Sequence, residues 1–189
     1  MSENILEKII SKKTEKIKEL QKTISVNNLA EKISLYKSYY NFKDKILNNL
    51  NNNRFSIIAE IKKASPSAGI IIENYDPVNI ANIYKANNVT CLSVLTEQDF
   101  FLGNLIHISK IKQKNNLPIL CKDFFVDKFQ VHLARSYGAD AILIILAGVT
   151  DEIAISLYEE AEKLKMSVIV EVHTVQEAKK ALKFQNAMI

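Results

Sequence analysis

From residue 55 onward the chain repeats one pattern five times: a short, almost continuously apolar run followed by an amphipathic stretch. The apolar runs are 55–62 (FSIIAEIK), 90–96 (TCLSVLT), 118–124 (PILCKDF), 140–146 (DAILIIL) and 167–173 (SVIVEVH). Each is too short to cross a bilayer and has the length of a buried strand. Between and after them, 77–87, 103–114, 128–137, 152–165 and 175–184 carry apolar residues at helical spacing. Strands apolar on both faces must be covered on both faces, and a parallel sheet with helical crossovers supplies that cover. A period of about 25–30 residues suits a barrel or a doubly wound sheet. No Gly-x-Gly-x-x-Gly or Walker-type loop follows any run, so a dinucleotide-binding sheet loses its usual support.

Ahead of the repeat, 3–22 reads as an amphipathic helix with Ile5, Leu6, Ile9, Ile10, Ile17 and Leu20 near helical spacing. A second helix is predicted over 29–50, its buried stripe being Leu29, Ile33, Leu35, Tyr39, Phe42, Ile46 and Leu50. The asparagine-rich stretch 48–53 ends this extension as a polar loop. The expected organisation is a helical extension over 1–53 and a partial barrel over 54–189, together one domain.

With 189 residues, 48% of them hydrophobic, the chain can bury one sizeable core. The net charge of +4 comes from 25 basic and 21 acidic residues spread along the chain, so nucleic acid is not an expected partner. An anionic small molecule suits the mild excess better. The first residues lack a signal-peptide core, and no apolar run approaches a membrane span, so no membrane partner is expected. Cys91 and Cys121 lie inside apolar runs, which points to a reducing, cytoplasmic setting rather than a disulfide framework. His107, His132 and His173 do not have metal-ligand spacing, and neither a metal nor a cofactor is expected.

Polar residues recur at one end of the apolar runs. Glu60 and Lys62 are two apart and therefore share a face of the first strand. The second strand ends in Thr96-Glu97, the third in Lys122-Asp123-Phe124, and the fifth in Glu171 and His173; the fourth ends near Leu146 without a charge. In a barrel the carboxyl ends of the strands carry the chemistry. One charged strand end is ordinarily a rim salt bridge, whereas three at the same end look like a site. Pro66 and Gly69 force a turn after Lys62, where Ser65, Ser67 and backbone N–H groups offer an anion contact.

The run Glu60-Ile61-Lys62-Lys63-Ala64-Ser65-Pro66-Ser67 resembles the signature of the indole-3-glycerol-phosphate synthase family. The resemblance continues in order through Ile5-Leu6-Glu7-Lys8-Ile9, through Leu92 to Glu97 with Phe101-x-Gly103, and through Leu117 to Phe124. It extends over Gly138-Ala139-Asp140-Ala141-Ile142-Leu143 and Val170-Glu171-Val172-His173, and so covers essentially the whole chain. It implies a TIM (βα)8-type barrel and a carboxy-lyase of tryptophan biosynthesis. That enzyme converts 1-(2-carboxyphenylamino)-1-deoxyribulose 5-phosphate to indole-3-glycerol phosphate by ring closure, decarboxylation and dehydration. It implies Lys122, Glu171, Glu60 and Lys62 as catalytic residues. It also implies Ser65 and Pro66 beside the substrate carboxylate, and Phe101, Phe124 and Leu143 around its ring.

Against a family barrel of eight strands, five are visible here, and Asn186-Ala187-Met188-Ile189 looks like the start of a sixth. The expectation is a C-terminally truncated barrel that lacks the family's later strands, including the loops that make most of the phosphate site. Open sheet edges then lower stability or invite self-association. The alternatives are a non-catalytic barrel fragment needing a partner segment, and another phosphate-binding barrel such as phosphoribosylanthranilate isomerase. Glu60-x-Lys62 and Lys122-Asp123-Phe124 argue against the latter.

Overall fold

The computed structural model describes residues 5–36 and 39–189; residues 3–4 and 37–38 of the two predicted N-terminal helices lie outside them. Three helices come first: α1 (Ile5–Thr23), α2 (Val26–Ser34) and α3 (Phe42–Asn51). Then follow β1 (Ile58–Ile61), a small antiparallel hairpin of β2 (Ala64–Ser65) and β3 (Gly69–Ile70), and α4 (Pro77–Ala86). The alternation continues with β4 (Cys91–Leu95), α5 (Ile106–Lys112), β5 (Ile119–Lys122) and α6 (Phe129–Ser136). It closes with β6 (Ala141–Ile145), α7 (Asp151–Lys163), β7 (Ser167–Glu171) and α8 (Val175–Ala181). The five long strands form one parallel sheet in the order β1-β4-β5-β6-β7, each next to its predecessor in the repeat. Met188 makes a parallel bridge to Ile169 beyond β7.

Strand periodicity sorts the side chains into two sets. Outward residues such as Ile61, Val94, Ile119, Ile142 and Val168 pack beneath the crossover helices in the main core. Inward residues Cys91, Leu120, Ala141 and Leu143 form a second cluster, plugged at the amino end of the strands by Phe42 of α3, which is fully buried. The helices start where their caps say they should. Asp76 accepts from the Val78 and Asn79 N–H groups ahead of α4, with Pro77 at its first position. Thr150 and Thr174 cap α7 and α8 in the same way.

The predicted helix over 29–50 is two helices. α2 stops at Ser34, leaving Leu35 77% exposed, and α3 restarts behind Asn41, whose side chain accepts from the Asp44 N–H at 3.0 Å. The cause lies a hundred residues away: the Tyr40 N–H donates to the Asp140 carboxylate at 2.8 Å, which takes the backbone out of any helical ladder. Residues 48–51, expected as loop, form the last turn of α3, and Leu50 of the predicted stripe is exposed. The first strand is shorter than its apolar run. Phe55 is 97% exposed and β1 begins only at Ile58; Ile57 is held instead by the Thr90 hydroxyl and backbone, its N–H donating to Thr90 Oγ1 at 3.1 Å and its carbonyl accepting from the Thr90 N–H at 3.0 Å.

Asp140 is the hub of the amino end. It is fully buried, and its second oxygen accepts from the Ile119 N–H at 2.9 Å and pairs with Lys112. Arg135 stands 3.8 Å from the first oxygen and lies over the Tyr39 ring at 3.2 Å. Burial pushes the Asp140 carboxyl up and the Lys112 ammonium down from their ordinary ranges, the mark of charges removed from water together. On the outer side, Tyr75 packs against His107 of α5 with ring centroids 5.4 Å apart. Burial raises Tyr75 to about 12 and, with Lys110 and Lys63 nearby, lowers His107.

Candidate active site

At the carboxyl end of the sheet, Glu60, Lys122 and Glu171 each leave their strand on the inward face, as their even spacing from the inward apolar residues requires. The Glu60 Oε1 accepts from Lys62 Nζ at 2.5 Å, and its Oε2 lies 3.9 Å from Lys122 Nζ. One carboxylate thus bridges two ammonium groups, all three side chains about one-third exposed. Glu171, the last residue of β7, pairs with His173 Nε2 at 2.9 Å. The His173 N–H in turn donates to Glu177 of α8 at 2.6 Å.

Glu60, Lys122, Glu171 and His173 open into two adjoining hollows, which Lys62 does not line. The first, about 320 Å³, is lined by Leu95, Phe101, Lys122, Phe124, Leu143, Glu171 and His173, with Leu6 of α1 on its rim. The second, about 430 Å³, includes Glu60, Lys122, Leu143 and Glu171. Lys122, Leu143 and Glu171 belong to both, so the acids and the lysine converge on one space. The Phe101 and Phe124 rings, with centroids 6.1 Å apart and planes at 36°, form an apolar wall beside Leu143. A larger cavity of about 730 Å³ opens at the other end beside α3, around Tyr40, Asp44 and Asn48, and holds none of the strand-end charges. Ser65 and Pro66 line neither hollow; they sit in the hairpin turn just past Lys62, where the Ala68 N–H donates to Ser65 Oγ at 3.2 Å and Gly69 takes a φ of 66°.

The loop that presents Phe101 is built on Glu97. This residue is 1% exposed, and its carboxylate accepts the N–H groups of Asp99, Phe100 and Phe101 at 3.0, 2.7 and 3.1 Å. Gly103 closes the loop: its N–H donates to the Glu97 carbonyl at 2.7 Å, and a Cβ there would stand 2.5 Å from the Leu95 carbonyl oxygen. Beneath the loop, Asp123 points outward, opposite to Lys122. It accepts from Thr96 Oγ1 at 2.7 Å and pairs with Lys13 of α1 at 2.6 Å. Neither Lys13 nor this use of Asp123 and Glu97 is visible from motifs. A signal exists nonetheless: Ile9, Lys13 and Ile17 are spaced by four, so the lysine interrupts a buried stripe. Cys91 and Cys121 are free, buried thiols, Cys91 pushed up to about 12 by burial and Cys121 raised for the same reason.

A parallel βα sheet with acids and lysines gathered inward at the strands' carboxyl ends defines the class, a βα-barrel protein with its polar cluster where barrels carry chemistry. The family model for indole-3-glycerol phosphate synthase matches residues 6–189, and the chain belongs to that family. An indole-3-glycerol phosphate synthase of Prochlorococcus marinus is 41% identical over 185 residues, covering 98% of this chain and 62% of that protein. One from Acidithiobacillus ferrooxidans is 40% identical over 186 residues, covering 98% and 71%. The chain thus spans about three-fifths of the length of the Prochlorococcus relative. A crystal structure of 3-keto-L-gulonate-6-phosphate decarboxylase from Vibrio cholerae superposes with a TM-score of 0.53 at 17% identity, over 69% of this chain and 58% of that one; it shares the fold. No helix among the described residues is long and apolar enough to cross a membrane.

Proposed function

We propose that this chain carries the catalytic half-site of an indole-3-glycerol-phosphate synthase, a carboxy-lyase acting on 1-(2-carboxyphenylamino)-1-deoxyribulose 5-phosphate. The observation that carries the reading is the convergence of Glu60, Lys122 and Glu171 on one space beside an aromatic wall, in a chain of that family. In ring closure, the ring carbon bearing the carboxylate bonds to the ketone carbon, and the ketone oxygen takes a proton to become a hydroxyl. Lys122 is the acid for that proton, and its charge stabilises the oxygen as negative charge develops. The nitrogen lone pair moves into an iminium, which accepts the electrons of the breaking C–CO₂ bond, so carbon dioxide leaves without a metal. Dehydration then removes the hydroxyl with a proton as water and a second proton from carbon. Glu171 and Glu60 are the acid and base of that step.

Lys62, held on Glu60, and the turn of Ser65 and Pro66 beyond the hollows are assigned to the substrate carboxylate, and Phe101, Phe124 and Leu143 to its ring. The test is formation of the indole product from this substrate by the chain, followed by absorbance, with Lys122→Ala as control. Product that disappears in the control supports the reading. A folded chain that makes no product rejects it as a self-sufficient enzyme.

A further inference from the structure

We infer that Lys13 of the N-terminal helix is a positioning residue, whose buried ammonium holds the carboxyl ends of β4 and β5 in register and so sets where Lys122, Phe101 and Phe124 stand. The catalytic weight of this placement rests on the function proposed above; the geometry does not. Lys13 occupies a stripe position between Ile9 and Ile17 and is 6% exposed. An ammonium there is tolerated only if its charge is met. It is met twice, by Asp123 Oδ1 at 2.6 Å and Glu97 Oε1 at 3.9 Å.

What remains of both carboxylates is spent on the site's backbone. Asp123 accepts from Thr96 Oγ1 at 2.7 Å and from the Phe124 N–H at 2.8 Å. Glu97 accepts the three N–H groups of residues 99–101 that fix the Phe101 loop. The Thr96 N–H also donates to the Lys122 carbonyl at 3.1 Å, so the lysine's own peptide is gripped from the same residue. Strand periodicity turns this grip into position: Asp123 is anchored on the outer face, and its neighbour Lys122 is thereby aimed inward. Lys12 and Lys16 clip the loop from outside through Asp99, at 3.4 and 3.5 Å. Without the Lys13 charge, two buried carboxylates face one another uncompensated, and the backbone bonds they accept are the ones to loosen.

The experiment compares wild type, Lys13→Met and Lys13→Arg by amide hydrogen exchange, by the acetylation rate of Lys122 read by mass spectrometry, and by turnover. The expected result for Lys13→Met is exchange about tenfold faster at Asp99, Phe100, Phe101 and Phe124, with the β6 and β7 amides unchanged. The Lys122 acetylation rate changes in the same variant, and Lys13→Arg restores both. If Lys13→Met does not fold, Lys13→Gln, which keeps a donor toward Asp123, carries the same measurement. Unchanged exchange at the four amides, or an equal rise across β6 and β7, overturns the inference, the latter because it marks a plain loss of stability. Full wild-type turnover retained by Lys13→Met also overturns it while leaving the proposed function intact. If the wild-type chain makes no product while Lys13→Met shows the local exchange change and Lys13→Arg reverses it, the positioning role stands and the reading of the chain as a self-sufficient enzyme falls.

Discussion

The two ends of the sheet each hold an acid between two cations, and they are built oppositely. At the amino end, Asp140 is fully buried, and its oxygens are taken by two backbone N–H groups and Lys112, with Arg135 3.8 Å away. At the carboxyl end, Glu60 accepts from Lys62 at 2.5 Å and lies 3.9 Å from Lys122, but its side chain is about one-third exposed, accepts no backbone N–H among the described residues, and opens onto a hollow. A structural ion cluster is saturated and dry. The candidate site leaves ammonium protons and carboxylate lone pairs open to a ligand, in reach of solvent. The difference teaches that ionic composition does not distinguish the two; the number of vacant hydrogen-bonding positions does.

The contrast breaks first, and hardest, at the amino end. Asp140→Ala leaves Lys112 and Arg135 buried without their anion and is expected to cost about 3–5 kcal/mol of stability, read from the urea midpoint. At the carboxyl end, Lys122→Ala is expected to lower turnover about 10²–10⁴-fold while moving stability by less than about 0.5 kcal/mol. Equal stability losses in the two variants would erase the distinction. Between the two ends lie the thiols: with Cys91 near 12 and Cys121 also raised, neither reacts with a disulfide reagent at pH 8 in the folded chain, and both react in guanidinium. Reaction of either in the native state would show that the sheet opens.

His107 sharpens the comparison more gently. Its folded pKa lies below the ordinary 6.5, so the unfolded chain binds the extra proton first. Its contribution is complete above 6.5 and is lost as pH falls from there through the folded value. Stability therefore declines on acidification across that window, and His107→Gln flattens the slope of midpoint against pH. The smallest effect belongs to the surface pair Lys180–Asp151, 2.7 Å apart with both side chains well exposed. Asp151→Asn is expected to leave the melting temperature unchanged within error.

Much of the carboxyl end is legible in the sequence because the candidate groups there sit on strands, and strand periodicity is readable. Glu60, Lys122 and Glu171 were placed on a common end by their positions in apolar runs, and all three line the hollows. Ser65 and Pro66 were harder, since their turn hangs from a two-residue hairpin whose direction no periodicity encodes. The stop of α2 at Ser34 and the restart of α3 at Phe42 escape helical periodicity because the partner of Tyr40, Asp140, is remote in sequence. Lys13 escaped for a related reason: a lysine in an apolar stripe is read as a solvated flank until two acids from other strands are brought to it.

The linear order of residues therefore determined the repeat, the parallel sheet, the inward set of strand-end charges and the family. Local physics suffices for these, because apolar spacing and turn chemistry act over a few residues. Only the tertiary structure decided which acid became a dry hub and which an open site, where the second helix stops, and that α1 reaches the strand ends. Burial and the meeting of distant charges are properties of the packed chain, since desolvation depends on what every other element covers.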